Sequence, residues 1–162
     1  MQSVTFDYET FAITLESGVF GNYMSKTGPE VRFGKVWPTW RLDSTRIEIY
    51  GTEGLMYLEI MGGGWQVFDD DGKIRDEHKG YFPDENHQKN FIESIRSNKT
   101  PNADIVEGHK SATLIHLANL AYRTGNKLLY YNGKKGIIEN SEEANEISRG
   151  YYRPPYLIPE VI

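Results

Sequence analysis

Residues 45–60 read TRIEIYGTEGLMYLEI, two runs of alternating apolar and polar residues on either side of Gly51-Thr52-Glu53-Gly54. Alternation in twos sends successive side chains to opposite faces of an extended chain, and a short glycine-bounded turn joins antiparallel neighbours. The stretch therefore predicts a β-hairpin, and the flanking sequence extends the pattern both ways. Downstream, Trp65 to Phe68 and a short strand around Ile74 flank Asp69-Asp70-Asp71-Gly72, which predicts a second hairpin. Upstream, Val4, Phe6 and Tyr8 share one face of a strand, and Phe11, Ile13 and Leu15 repeat the spacing after a very short break, like the two arms of a third hairpin. Residues 26–43 (KTGPEVRFGKVWPTWRLD) interrupt this order with two Gly, two Pro, two Trp and several charges in no clean period. They read as a long excursion from the sheet, and long loops inside compact domains often carry function.

Near residue 84 the period changes. Phe91, Ile92 and Ile95 form one helical stripe with His87 a turn ahead, and Ser97-Asn98-Lys99 ends the helix. A second helix is expected from near Asp104, where Asp104 and Glu107 have capping-box spacing, to Thr124 before Gly125. Its stripe of Leu114, Ala118 and Ala121 is small enough to lie close against a neighbour. LLYY at 128–131 reads as a returning strand, and Ser141-Glu142-Glu143 opens a last short helix with acidic groups where the macrodipole favours them. Tyr151-Tyr152-Arg153-Pro154-Pro155-Tyr156 is a proline-stiffened tail. Strands first and helices after predict an α+β fold: an open, mostly antiparallel sheet with helices packed on one face. A single domain over 1–162 is expected, strand-rich over 3–76, helix-rich over 84–150 and extended over 151–162, because 162 residues suffice for one core.

Composition narrows the function classes. With 18 Lys+Arg against 23 Asp+Glu and a formal charge of -5, the chain lacks the positive excess on which sequence-independent nucleic-acid binding depends, so neither nucleic acid nor an acidic membrane is an expected partner. The absence of cysteine excludes disulfides, thiolate metal sites and thiol nucleophiles. No apolar run approaches the roughly 20 residues that cross a bilayer, and MQSVTFDYET has neither the basic start nor the apolar stretch of a secretion signal. A cytoplasmic location is the default, although a longer N-terminus could carry a signal. Aromatic residues make up 13% of the chain, which favours sheet and a sizeable contact surface.

The segment from His87 to Ala121, HQKNFIESIRSNKTPNADIVEGHKSATLIHLANLA, followed by Asn145 in EEAN and by YYRPPY, resembles the C-terminal half of the Gfo/Idh/MocA oxidoreductases, and the hairpin IEIYGTEGLMYLEI fits as well. The resemblance implies a dihydrodipicolinate reductase-like C-terminal domain that supplies an open antiparallel sheet, part of the substrate pocket and the oligomer contact. It also implies an N-terminal Rossmann domain that binds NAD or NADP. A dinucleotide site needs a glycine-rich turn between strand and helix, where backbone N–H groups and the helix dipole meet the pyrophosphate. No G-x-G-x-x-G occurs, and Gly62-Gly63-Gly64 lies between two predicted strands. The family's Glu-Lys-Pro signature and its aspartate- and histidine-bearing helix are also missing from the sequence. The chain thus reads as a substrate and assembly domain without its Rossmann half. It is expected to bind no cofactor, to hold no catalytic residue and to be inert alone, while the full-length parent uses NAD or NADP on a sugar, cyclitol or related polyol.

Two regions are candidate pocket walls. The excursion loop places Lys35, Trp37, Trp40 and Arg41, with Arg32, in a mixture of flat aromatic faces and cations that suits a sugar ring or an acidic group. The tail offers Tyr152, Arg153 and Tyr156, and His87 at its helix start either faces a pocket or packs. No metal site is expected: His109 and His116 lie seven residues apart, about 10.5 Å along a helix, and project in parallel. Asp69 to Asp71 lack the alternating ligands of a calcium loop. Two further readings carry no catalysis. One is a dimeric assembly protein whose sheets pack through Tyr50, Tyr57, Leu58 and Ile60, and the other is a carbohydrate-binding module using Trp37, Trp40 and Trp65.

Overall fold

In the computed structural model, which describes residues 2–18 and 26–157, each alternating run has become a strand. Strands β1 (Gln2–Asp7) and β2 (Ala12–Ser17) pair antiparallel as a separate two-stranded sheet, with Val4 opposite Leu15 and Phe6 opposite Ile13. Tyr8 and Phe11 stack at its tip with ring centroids 4.5 Å apart. The main sheet is four-stranded, antiparallel and open, in the order β3 (Arg46–Gly51), β4 (Gly54–Glu59), β5 (Gly64–Phe68) and β6 (Ile74–Lys79). Sequential neighbours throughout mean that each connection is a local turn, so sequence alternation maps directly onto the two faces of the sheet.

The turns have the expected chemistry. Gly72 adopts φ 75°, and Asp69 closes its loop by accepting the Lys73 N–H on Oδ1 at 2.8 Å, so the aspartate run is a hairpin tip. The glycine cluster has a different cause from simple loop flexibility. After a 3₁₀ turn over Ile60–Gly62 the chain runs so close to Gly80 that a Cβ there would collide with the Gly62 carbonyl, and the Gly80 N–H bonds to Gly63 O at 3.1 Å.

The excursion loop holds a one-turn helix α1 (Pro29–Arg32) and a 3₁₀ turn over Trp40–Leu42. Proline at the first helical position suits α1, whose Arg32 and Phe33 both meet the Phe82 ring, at 5.6 and 5.4 Å. Helix α2 (Asp84–Ser97) ends on Asn98 in the left-handed conformation, φ 51°, as the Ser-Asn-Lys stop predicts. Its apolar stripe is not a core stripe: Phe91, Ile92 and Ile95 stay exposed, and Ser94 is its buried residue. His87 is also exposed, so packing at the helix start is not what it does.

Contacts group the chain into two compact units, Met1–Asn102 and Ala103–Ile162. The change of period near residue 84 marks the switch to helix, whereas the contact boundary follows α2. In the second unit α3 (Ile105–Arg123) buries Ala118 and Leu120, and a two-residue ladder joins β7 (Tyr131–Asn132) to β8 (Ile137–Ile138). The expected strand over 128–131 thus shrinks to its last residue and a neighbour. The Asp104–Glu107 capping box does not form, because Asp104 makes no side-chain cap and Glu107 instead accepts from Lys110 at 2.6 Å. Helix α4 (Glu142–Arg149) is capped by Ser141, whose Oγ accepts the Ala144 N–H at 3.1 Å. Asn145 then ties α4 to β8, accepting from Ile138 N at 2.8 Å and donating to Ile138 O at 2.7 Å. The tail through Leu157 is exposed, and the end of the expected tail, 158–162, lies outside the described residues. The α+β class and the open antiparallel sheet agree with the sequence.

Candidate functional site

The register of the main sheet sorts its side chains into two unlike faces. Glu48 lies opposite Tyr57, Tyr57 opposite Gln66 and Gln66 opposite Glu77, so four polar or aromatic side chains form one row across the strands. A parallel row holds Arg46, Glu59 and Lys79, with Gly64 between the last two in strand order. The Lys79 ammonium reaches across β5 to Glu59, at 3.2 Å, and the missing side chain at Gly63 leaves room for the Glu59 carboxylate, with which a Cβ there would collide. The other face carries Ile47, Ile49, Met56, Leu58, Trp65 and Val67 across three strands, with His78 and Asp76 of β6 at its edge.

The excursion loop lands on the polar face. Trp40 lies flat over Tyr57 with centroids 5.1 Å apart and planes 10° apart, and its indole N–H donates to Gln66 Oε1 at 2.7 Å. Gln66 in turn donates through Nε2 to Glu77 Oε2 at 2.6 Å. Trp37 lies 6.2 Å from Trp40, and the Lys79 ammonium sits 5.5 Å from its ring centroid while also donating to Gly63 O at 2.9 Å. The Glu59 side chain is 1% exposed, so this ammonium is the counter-charge that makes its burial tolerable. Asp43, also buried, anchors the loop's end by accepting from Thr27 Oγ1 at 2.9 Å and from Thr45 N at 3.1 Å. Asp43 at the loop's end, and Glu59 and Gln66 on the sheet beneath the loop, are thus all buried polar residues with partners.

At the rim, Arg46 donates to Glu48 Oε1 at 2.5 Å and Tyr50 donates to Glu48 Oε2. Burial pushes the Glu48 carboxyl up, but the hydrogen bonds from Tyr50 and Arg46 and the charge of Arg46 outweigh it and hold the group below the ordinary carboxylate range. The bond to Glu48, and then the negative charge of Glu48, raise the Tyr50 phenol above its usual value.

The family model for the C-terminal alpha/beta domain of the Gfo/Idh/MocA oxidoreductases matches residues 50–158 of the 162. The chain belongs to this family. No curated protein and no solved structure matches it. The Gfo/Idh/MocA match begins inside β3, so the loop bearing Trp37 and Trp40 precedes the matched residues, while their partners Tyr57, Gln66, Glu77 and Lys79 lie within them.

Of the residues singled out in the sequence, the structure brings Trp37 and Trp40 together on the sheet. Lys35 and Arg41 flank them in sequence but are exposed, and His87 is exposed on α2. Tyr152, Arg153 and Tyr156 belong to the second unit, where the Arg153 guanidinium lies 5.5 Å from the Tyr156 ring centroid. The three-tryptophan platform is corrected: Trp65 sits on the opposite face from Tyr57 and Gln66, near His78 at 6.3 Å. The proposed sheet-packing set is corrected likewise, since Tyr50 and Tyr57 face away from Leu58 and Ile60 lies in a 3₁₀ turn. Sequence reading missed Glu59, Gln66, Glu77 and Lys79 and gave Tyr57 a sheet-packing role alone. Their signal was present as the second phase of the same alternation, Arg-Glu-Tyr in β3 against Ile-Ile, once the strands are laid side by side. Among the described residues no group of three His, Asp or Glu could hold a metal, and no helix is long and apolar enough to cross a membrane.

Proposed function

We propose that this chain is the substrate-side and subunit-contact domain of an NAD(P)-dependent oxidoreductase that acts on a sugar, cyclitol or related polyol. The observation that carries the reading is the two-faced sheet. Its polar face is roofed by paired indoles, Trp37 and Trp40, both half-buried, whose remaining open ring surface suits the apolar C–H face of a hydroxylated ring, while the carboxylate, carboxamide and ammonium groups beneath hold the indoles in place. Its other face is apolar and half-open, with Ile47 51% and Ile49 49% exposed, which suits a second subunit. Membership of an oxidoreductase family supports the redox assignment. In this reading hydride passes between a substrate carbon and the nicotinamide held by a dinucleotide-binding domain, and the present residues orient the substrate and exclude water.

The test is to express the gene's whole reading frame and assay reduction of NAD and NADP with a panel of polyols and sugars. Reduction with at least one polyol, with KM raised and kcat little changed in Trp37→Ala, supports the proposal. A frame that opens at Met1, or no reduction with any member of the panel, overturns the enzyme reading and leaves self-association as the function the sheet supports. Light scattering then checks the dimer directly.

A further inference from the structure

The second unit contains a groove of its own, about 560 Å³, lined by His116, Asn119, Leu120, Tyr122, Arg123, Ile147 and Ser148. That volume lies within the roughly 300–1,000 Å³ of small-molecule sites. Its polar groups share an origin in helical spacing, because His116, Asn119 and Arg123 fall at i, i+3 and i+7 of α3 and therefore line one stripe. Leu120, 7% exposed, lies in the same stripe as an apolar floor, and Ile147 of α4 faces it across the groove.

The charges are unevenly distributed. The chain has 23 acidic residues, yet among the described residues no carboxylate lines this groove. Helix α3 holds three charged residues, of which Glu107 and Lys110 pair with each other at 2.6 Å. Arg123 has no ion pair among the described residues, and the side chains of His116 and Asn119 make no described hydrogen bond. Ser148 donates its hydroxyl proton to Asn145 O at 2.8 Å and so supplies no donor to the groove, which leaves the donors to Arg123, Asn119 and His116. A planar guanidinium with uncommitted donors, beside imidazole and carboxamide N–H groups, matches the geometry of an oxyanion.

We propose that the groove between α3 and α4 binds a small carboxylic acid with an apolar or ring-shaped body. Arg123 takes the carboxylate in bidentate fashion, Asn119 and His116 add donors, and the body lies on Leu120 and Ile147. Inorganic phosphate shares the oxyanion chemistry but lacks the body, so the two ligand sources are separable.

The experiment is heteronuclear NMR titration of the 162-residue chain with benzoate and, separately, with inorganic phosphate. Saturable shifts confined to α3 and α4 are expected with benzoate, with an affinity about tenfold above that for phosphate. Arg123→Gln and Asn119→Asp are both exposed helix positions that leave the fold intact, and each is expected to weaken benzoate binding at least about tenfold. No saturable shift, equal affinity for phosphate, or benzoate binding unchanged in both variants overturns the proposal.

Discussion

The two faces of the four-stranded sheet are built from the same strands and differ in what covers them. One face carries Glu48, Tyr57, Gln66, Glu77, Glu59 and Lys79 and is covered by the chain's own loop. The other carries Ile47, Ile49, Met56, Leu58, Trp65 and Val67 and stays half-open. Burial by hydrophobicity alone would cover the second face and leave the first to water. The reverse arrangement means that the covered face is held by specific pairing, while the apolar face keeps Ile47 and Ile49 half-exposed.

The sharpest break in this contrast comes from the buried ion pair. Lys79→Met leaves the Glu59 carboxylate, 1% exposed, without its counter-charge and is expected to destabilise the first unit by about 3–5 kcal/mol in urea unfolding. Replacing both Glu59 and Lys79 with Met is expected to restore most of that loss, because two well-packed apolar groups need no desolvation of charge. A double variant no more stable than the single one would show that the neighbouring hydrogen bonds from Trp40 and Gln66, and not the ion pair, hold the face together.

The apolar face is probed by charge. Ile49→Arg is expected to leave the unfolding free energy within about 0.5 kcal/mol, since Ile49 is 49% exposed, while raising the dissociation constant of any self-association at least about a hundredfold. Sedimentation at increasing protein concentration reads the second effect. An unchanged association constant would remove this face from the subunit contact.

How much of this was legible beforehand differs between the faces. Hairpins around Gly51–Gly54 and Asp69–Gly72 follow from local turn chemistry, and the order of elements follows from them. The apolar face is likewise readable from Ile47, Ile49, Met56 and Leu58. The polar face was not, because its meaning depends on register across four strands and on where a loop of 18 residues, 26–43, returns. Trp37 and Trp40 were visible as candidates by type, but nothing local says that Trp40 meets Tyr57 and Gln66 rather than joining Trp65. The helices show the same limit. The Asp104–Glu107 spacing is that of a capping box, yet Glu107 is drawn off by Lys110, and the Phe91–Ile95 stripe promises a core it does not have in this unit.

A milder change tests the loop's grip. Trp40→Phe keeps an aromatic ring over Tyr57 but removes the indole N–H that donates to Gln66 at 2.7 Å, leaving a buried carboxamide oxygen unpaired. The expected cost is about 1–2 kcal/mol, and adding Gln66→Leu is expected to recover part of it by removing the orphaned group. If Trp40→Phe costs nothing, the loop is held by Asp43 and Lys79 and the Trp40 bond is incidental.

The smallest expected effect lies at the rim, where Glu48 links Arg46 and Tyr50. A carboxyl held below its ordinary range in the folded state contributes stability that is fully present above the unfolded value and is lost as pH falls through the folded one. A phenol raised in the folded state does the opposite: its contribution is present below the unfolded value and is lost as pH rises through the folded one. The Glu48–Tyr50 bond therefore stabilises β3 across the neutral range and fades at both the acid and the alkaline ends. Tyr50 is 76% exposed, so solvent screening limits the gain to about 0.5 kcal/mol. Tyr50→Phe should abolish the alkaline decline and shrink the acid one without touching the Glu59–Lys79 pair, which separates the rim from the buried centre of the same face. An alkaline decline that survives Tyr50→Phe would assign it to a group other than Tyr50, and the rim bond would then contribute nothing to the covered face.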